Sequence, residues 1–165
     1  MNNLNPRINF QTVKEVVAFV MDEIGSTRNL NMFELGSILY QIDIIRIKED
    51  SNYLIGDNYY ESDIGRFCLP LDFTTPLKTE YWEIFKEKDS FEGLIKFKKP
   101  SVIWHLSQSS FDLIREITIQ NKKIKIDYNE AVKFPLKPVL FWQLTDEVGL
   151  TSEQKDDIKS EIPYG

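Results

Sequence analysis

The stretch Asn31-Met32-Phe33-Glu34-Leu35-Gly36-Ser37-Ile38-Leu39-Tyr40-Gln41-Ile42-Asp43-Ile44-Ile45-Arg46-Ile47-Lys48 decides how the chain is read. Asn31 is a helix-capping residue type, and Glu34 stands three positions on, where its carboxylate can reach back to the backbone N–H of the cap. Ile38, Leu39, Tyr40, Ile42, Ile44, Ile45 and Ile47 leave hardly any polar face, and a helix that is apolar nearly all round is surrounded by protein. The expectation is a central helix ending near Lys48. Asp43 falls in its least polar turn. Burying an unpaired carboxylate is expensive, so Asp43 requires a partner: Arg46, or backbone N–H groups of the loop that follows.

Upstream, Thr12-Val13-Lys14-Glu15 has the form of a capping box, and Val13, Val16, Val17, Val20 and Ile24 recur at helical spacing, which predicts a first helix over 12–24. Between Ser51 and Thr75 the pattern changes to Gly56-Asp57-Asn58, Tyr59-Tyr60, Gly65 and Pro70, which suits turns and a small β-hairpin or extended segment near residues 52–68. Thr75-Pro76 places a cap before a first-turn proline, with Leu77, Tyr81, Ile84 and Phe85 as an inward stripe, and predicts a third helix over 76–87. Residues 89–107 fit strand or helix equally. A helix is expected over 107–119, a short strand over 123–128, a helix opening at Lys137-Pro138, and a last polar helix from Thr151. The predicted fold class is mainly α, a single-domain helical bundle over 1–165 built around the central apolar helix.

Composition narrows the classes of function. Hydrophobic residues make up 42% of the 165 and aromatics 13%, too rich in large apolar side chains for a disordered chain, and a chain of this length buries roughly 70% of its unfolded surface. No apolar stretch approaches the roughly 20 residues of a membrane span, and the first residues lack the basic-then-apolar form of a secretory signal. With Cys68 the sole cysteine, a cytoplasmic setting is expected. The net charge of −6 opposes nucleic-acid binding unless the lysines between Lys96 and Lys137 share one face.

Candidate chemistry is sparse. Cys68 and His105 are the only thiol and imidazole, so they are the sole conceivable cysteine-nucleophile pair, and each reads better as a packed core residue. Asp57, Asn58, Glu61 and Asp63 offer oxygen ligands, but their spacing is not that of a calcium loop. Phosphate-binding loops, dinucleotide fingerprints and serine elbows are all absent. The expectation is a protein that is not an enzyme and needs no cofactor or metal. An enzyme assembled from scattered carboxylates, or a helical nucleic-acid-binding domain, is the alternative.

The segment 30–67 resembles the Panacea domain of phage-associated and toxin-neutralising proteins. The likeness rests on Leu39-Tyr40 and Asp43 in the helix, Gly56-Asp57 and Tyr59 in the segment after it, and Gly65 in a final element where that family shows Tyr-Gly-Pro-Val. Ile64, Arg66 and Phe67 depart from that last element, and Ser37 stands where the family usually carries Lys. The resemblance implies an antitoxin that binds a toxin, typically from a neighbouring reading frame, and leaves homo-oligomer formation open. Asp43, Arg46, Gly56, Asp57, Tyr59, Gly65, Arg66 and Phe67 are the residues expected to organise or form the partner-binding surface.

Overall fold

The computed structural model describes residues 9–25, 28–56, 58–98 and 104–161. It corrects the predicted fold class: the protein is 45% helical and 18% strand, with two antiparallel sheets, so it is an α/β fold and not an all-α bundle.

The two helices read most directly from the sequence are present. The first, α1, spans Phe10–Ile24. Its cap is Asn9, whose Oδ1 accepts the N–H groups of Gln11 at 2.9 Å and Thr12 at 3.3 Å. Thr12 and Glu15 therefore lie inside the helix. Glu15, expected at the cap, is instead buried and bonded to the backbone N–H of His105, to its Nδ1 at 3.1 Å and to Gln11 Nε2 at 3.1 Å. The central helix, α2, spans Met32–Asp50 and opens with the anticipated capping box. Asn31 Oδ1 accepts Glu34 N–H at 2.9 Å, and Glu34 Oε1 accepts Asn31 N–H at 3.0 Å.

Three predicted elements are overturned. Residues 76–87 form no helix: Leu77–Lys78 is a strand, β4, and Trp82–Lys86 is another, β5. Trp82 and Ile84 are both buried and two residues apart, the period of a strand, whereas the helical stripe used only Leu77, Tyr81, Ile84 and Phe85. The Thr79 hydroxyl closes the turn between them, accepting the N–H of Trp82 at 3.0 Å and donating to its carbonyl at 2.6 Å. Trp82 Nε1 then donates to Lys14 O on α1 at 3.0 Å.

Residues 123–128 form no strand: Lys123 ends a turn, residues 124–127 join no ladder and Tyr128 opens a short helix. Ile126 spends its backbone groups on α2's start, its N–H on Glu34 Oε2 at 3.2 Å and its carbonyl on Asn31 Nδ2 at 2.8 Å. Lys137-Pro138 opens a strand, β7 (Lys137–Val139), and the helix α5 begins only at Phe141, running to Glu147.

The first sheet has the order β1-β6-β5-β4, where β1 is Leu30–Asn31 and β6 is Gly93–Phe97; Ile84 of β5 sits opposite Ile95. The second, β3-β2-β7, contains the expected hairpin, Tyr59–Ser62 (β2) with Gly65–Cys68 (β3), and β7 joins it by placing Val139 opposite Tyr59. Helix α3 (Gln108–Gln120), capped by Ser107, packs against α1 and α2. Short α4 (Tyr128–Ala131) and polar α6 (Ser152–Glu161) complete the order. One large apolar core runs through α1, α2, α3 and residues of both sheets, and a smaller cluster of Phe33, Phe67 and Ala131 lies beside it. Gly36 lets α2 lie against β3, since a Cβ there would stand 3.2 Å from Cys68 O and 2.6 Å from Leu69 Cδ2. Among the described residues, no helix is long and apolar enough to cross a membrane.

Candidate functional site

The organising group of the second sheet is the Asp43 carboxylate. Helix α2 carries it, fully buried, toward the loop that follows. Ser51, at φ +57°, ends the helix, and the chain turns back so that successive backbone N–H groups face the carboxylate. Oδ1 accepts from Leu54 and Ile55, each at 2.9 Å; Oδ2 accepts from Gly56 N–H at 3.1 Å and from the Tyr59 hydroxyl at 2.6 Å. Burial pushes this carboxyl up from its ordinary value, and the four hydrogen bonds pull against it without overturning the direction. Gly56 occupies φ +144°, a conformation that favours glycine, and its carbonyl faces the buried Cys68 thiol at 3.8 Å.

Tyr59 begins β2 and is buried, with its ring edge-on to Tyr40 at 6.3 Å. Gly65, also at φ +144°, follows the turn of the β2–β3 hairpin. Arg66 then reaches across elements. It bonds Glu61 Oε2 at 3.2 Å, the Tyr40 hydroxyl at 3.2 Å, and Glu147 of α5 through both terminal nitrogens, one of them at 2.9 Å. That pairing raises the Arg66 guanidinium and lowers the Glu147 carboxyl relative to their ordinary values. Phe67 points to the smaller cluster, 5.3 Å from Phe33 at 74°.

The expected residues thus divide. Asp43, Gly56 and Tyr59 meet in one hub, while Arg66 couples the hairpin to α5 and Phe67 is a core residue. Arg46 is not the partner of Asp43: it bonds Asp50 at 2.9 Å and Ser110 Oγ at 3.2 Å, joining α2 to α3. Asp57 lies outside the described residues.

Beside the hub is a cleft of about 240 Å³, whose lining includes Tyr60, Pro138, Leu140 and Trp142 over buried Tyr59 and Phe141. Sequence reading missed it because no spacing rule joins β2 to a strand and helix some 80 positions on. Its one sequence signal was Tyr59-Tyr60, an aromatic pair whose members face opposite sides of a strand.

The alternative chemistries gain little. Cys68 sits in β3, whereas His105 is held to α1 by Glu15, so they form no nucleophile pair. Asp43 is absent from the cleft lining, and Asp63 lines a separate recess with Glu61, Ser62, Pro135 and Lys137. Among the described residues, no group of three or more His, Cys, Asp or Glu side chains could hold a metal ion. Of the clustered lysines, Lys98 lies 3.9 Å from Glu83, and Lys133 pairs with Glu130 at 3.0 Å. No protein-family model, no curated protein and no solved structure matches the chain.

Proposed function

We propose that this chain is a cytoplasmic protein-binding module of the antitoxin kind, which neutralises a partner toxin by direct contact and has no catalytic step of its own. The observation that carries the reading is the Asp43 hub. Three of the residues through which the segment 30–67 resembles the Panacea domain, Asp43, Gly56 and Tyr59, are joined by hydrogen bonds, and the carboxylate is committed to internal donors. A carboxylate so occupied fixes a surface; it does not work on a substrate. The chain it fixes leads directly into β2, which presents Tyr60 to the cleft shared with Leu140 and Trp142. Aromatic and apolar side chains around a small recess suit an anchor residue of another protein, with charged neighbours acting on the rate of encounter.

Co-expression with the product of the neighbouring reading frame is the test. Growth rescue and co-purification are expected, and Leu140→Asp should weaken both while leaving the melting temperature unchanged. If the chain neither rescues growth nor co-purifies, the antitoxin reading fails.

A further inference from the structure

Residues 104–107, which precede α3, are held down on both sides of the one histidine in the chain. The Trp104 ring meets Phe19 of α1 edge-on at 5.6 Å and Phe111 of α3 at 5.4 Å. Leu106 packs against the main core, and Ser107 caps α3, its Oγ accepting the Ser110 N–H at 3.2 Å. Between these anchors His105 turns outward. Its side chain is 63% exposed, although its backbone N–H and its Nδ1 both meet the Glu15 carboxylate, which is 1% exposed. The imidazole expected in the core is therefore a surface group with a buried acid behind it.

That acid fixes which nitrogen of the ring is reactive. Glu15 Oε1 accepts the His105 N–H, and Oε2 accepts Gln11 Nε2 at 3.1 Å and lies 3.1 Å from His105 Nδ1. A carboxylate that takes amide donors on both oxygens offers a third group only acceptor sites, so Nδ1 carries a proton. In the neutral ring the lone pair is then on Nε2, which makes no hydrogen bond among the described residues. A carboxylate on one imidazole nitrogen and solvent at the other is the arrangement that orients a nucleophilic or ligating histidine. A metal would need further ligands, and no group of three or more is found among the described residues. Attack on an electrophile remains. The ring lines none of the recesses at Tyr60, Asp63 or Glu49, so the electrophile is met in open water. An acyl group on an imidazole is hydrolysed quickly there, whereas a phosphoryl group on Nε2 persists, and only a lasting product can mark the protein.

We propose that His105 Nε2 is a phosphoryl-acceptor site, modified by a donor of the phosphoramidate class, with Glu15 as the positioning residue that holds the tautomer of the ring. The Nε2 lone pair forms a bond to phosphorus as the P–N bond of the donor breaks. The electron pair of that bond leaves with the donor nitrogen, which is already protonated and departs as a neutral amine. Nδ1 keeps its proton, so the ring becomes an imidazolium carrying the phosphoryl group, and its positive charge faces Glu15. Nothing is oxidised or reduced. This inference goes beyond the antitoxin reading and needs no toxin.

Phosphoramidate itself is the probe, with the full chain and N-acetylhistidine treated side by side and followed by phosphorus NMR and intact mass. The folded chain should take up one phosphoryl group, bonded to Nε2 alone from the start of the reaction, whereas the free imidazole gives both isomers. Nitrogen NMR of the untreated chain should place the ring proton on Nδ1; with one histidine in the sequence, every imidazole signal belongs to His105. Glu15→Gln keeps an oxygen for the His105 N–H but turns an amide donor toward Nδ1, which moves the ring proton to Nε2. Its rate of phosphorylation should fall at least about tenfold, the effect of a wrong tautomer in a carboxylate–histidine pair. The isomer formed and the Nδ1–H signal are read on the unaltered chain, so they decide the matter even where Glu15→Gln does not fold. The proposal is overturned by an imidazole that stays unmodified, by phosphorylation at both nitrogens of the folded chain, by a ring proton found on Nε2, or by a folded Glu15→Gln that reacts as fast as the wild type.

Discussion

Replacing Asp43 by leucine should be far more damaging than replacing it by asparagine, and the structure gives the size of the difference. The carboxylate receives four hydrogen bonds, from the part-buried N–H group of Leu54 and from the buried N–H groups of Ile55 and Gly56 and the Tyr59 hydroxyl. Leucine removes the acceptor that all four share. At about 1–3 kcal/mol for each unpaired buried donor the ceiling would be about 4–12 kcal/mol. Relief from burying a charge and relaxation of the loop offset part of that, so a loss of about 3–5 kcal/mol is expected, the range seen when one partner of a buried charged contact is removed. Asparagine keeps the shape and one oxygen, which can still accept from Leu54 and Ile55, and its amide can donate to a rotated Tyr59 hydroxyl. Only Gly56 N–H then faces another donor, a loss of about 1–3 kcal/mol. Urea unfolding of the wild type and both variants measures this directly. If Asp43→Leu proves neutral, or no worse than Asp43→Asn, the carboxylate does not hold the loop. The pH dependence carries a sign as well. Because burial raises the folded carboxyl above its ordinary value of 3.8, its titration contributes stability that is complete below the unfolded pKa and is lost as pH rises through the folded one. Asparagine does not titrate, so the penalty of Asp43→Asn should be largest near pH 4 and shrink toward neutrality; a penalty that grows with pH would show that the hydrogen bonds outweigh burial.

Four further substitutions test the packing of the fold. Gly93→Ala should cost about 2–3 kcal/mol, because the new Cβ would stand 2.3 Å from the backbone oxygen of Phe73, which cannot swing away; Gly36→Ala should cost about 1 kcal/mol, since its worst contact is the mobile end of Leu69, and thermal melts of the two variants check the order. Glu147→Gln should cost about 0.5–1 kcal/mol at neutral pH by loosening α5 from Arg66, a modest value because the carboxylate is 43% exposed. Since Arg66 lowers the Glu147 carboxyl below its ordinary 4.5, that contribution is present above the unfolded pKa and lost as pH falls through the folded one, so the variant and the wild type should converge in acid denaturation. Glu15→Ala should free the backbone N–H of His105, costing about 1–3 kcal/mol, and hydrogen exchange at that amide should accelerate ahead of its neighbours in α3.

How far the sequence discloses the fold follows from the range of each interaction. The start of α2 is legible because Asn31 and Glu34 satisfy each other within a single turn. The start of α1 is misread for the opposite reason: Thr12 and Glu15 mimic the same local device, but Glu15 is bonded to His105, 90 positions away. The stretch after Pro76 satisfies both periodicities, four and three residues for a helix, two for a strand. What decides it is β6, whose Ile95 pairs with Ile84 and whose Gly93 admits the backbone of Phe73. A helix would leave β6 without its central neighbour and Trp82 without Lys14 O, and neither loss can be computed from residues 76–87 alone. The proline at 138 is equally two-faced, since a missing N–H is tolerated both at the first turn of a helix and in an edge strand; pairing with Tyr60 selects the strand.

The candidate site shows the same division. Asp43 is foreseeable as an organising residue because a carboxylate in an otherwise apolar turn must find donors, and the nearest unspent ones are the N–H groups of the loop that ends its own helix. Arg46, three residues along, looks an equally good partner on paper. It loses because a guanidinium taken into the core would itself need several acceptors, whereas at the α2–α3 boundary Asp50 and Ser110 supply them with solvent beside it. Four backbone and hydroxyl donors can neutralise a carboxylate's hydrogen-bonding needs without burying a second ion. The cleft has no such compulsion behind it. Tyr60, Pro138 and Leu140 would each be acceptable at any surface, and their meeting is a consequence of the β2–β7 pairing, which follows from the placement of Tyr59 by Asp43. The surface that a partner would touch is therefore two steps removed from the residue that the sequence makes conspicuous, and a variant at Asp43 should alter partner binding only through the fold, while one at Leu140 should alter it without disturbing the fold at all.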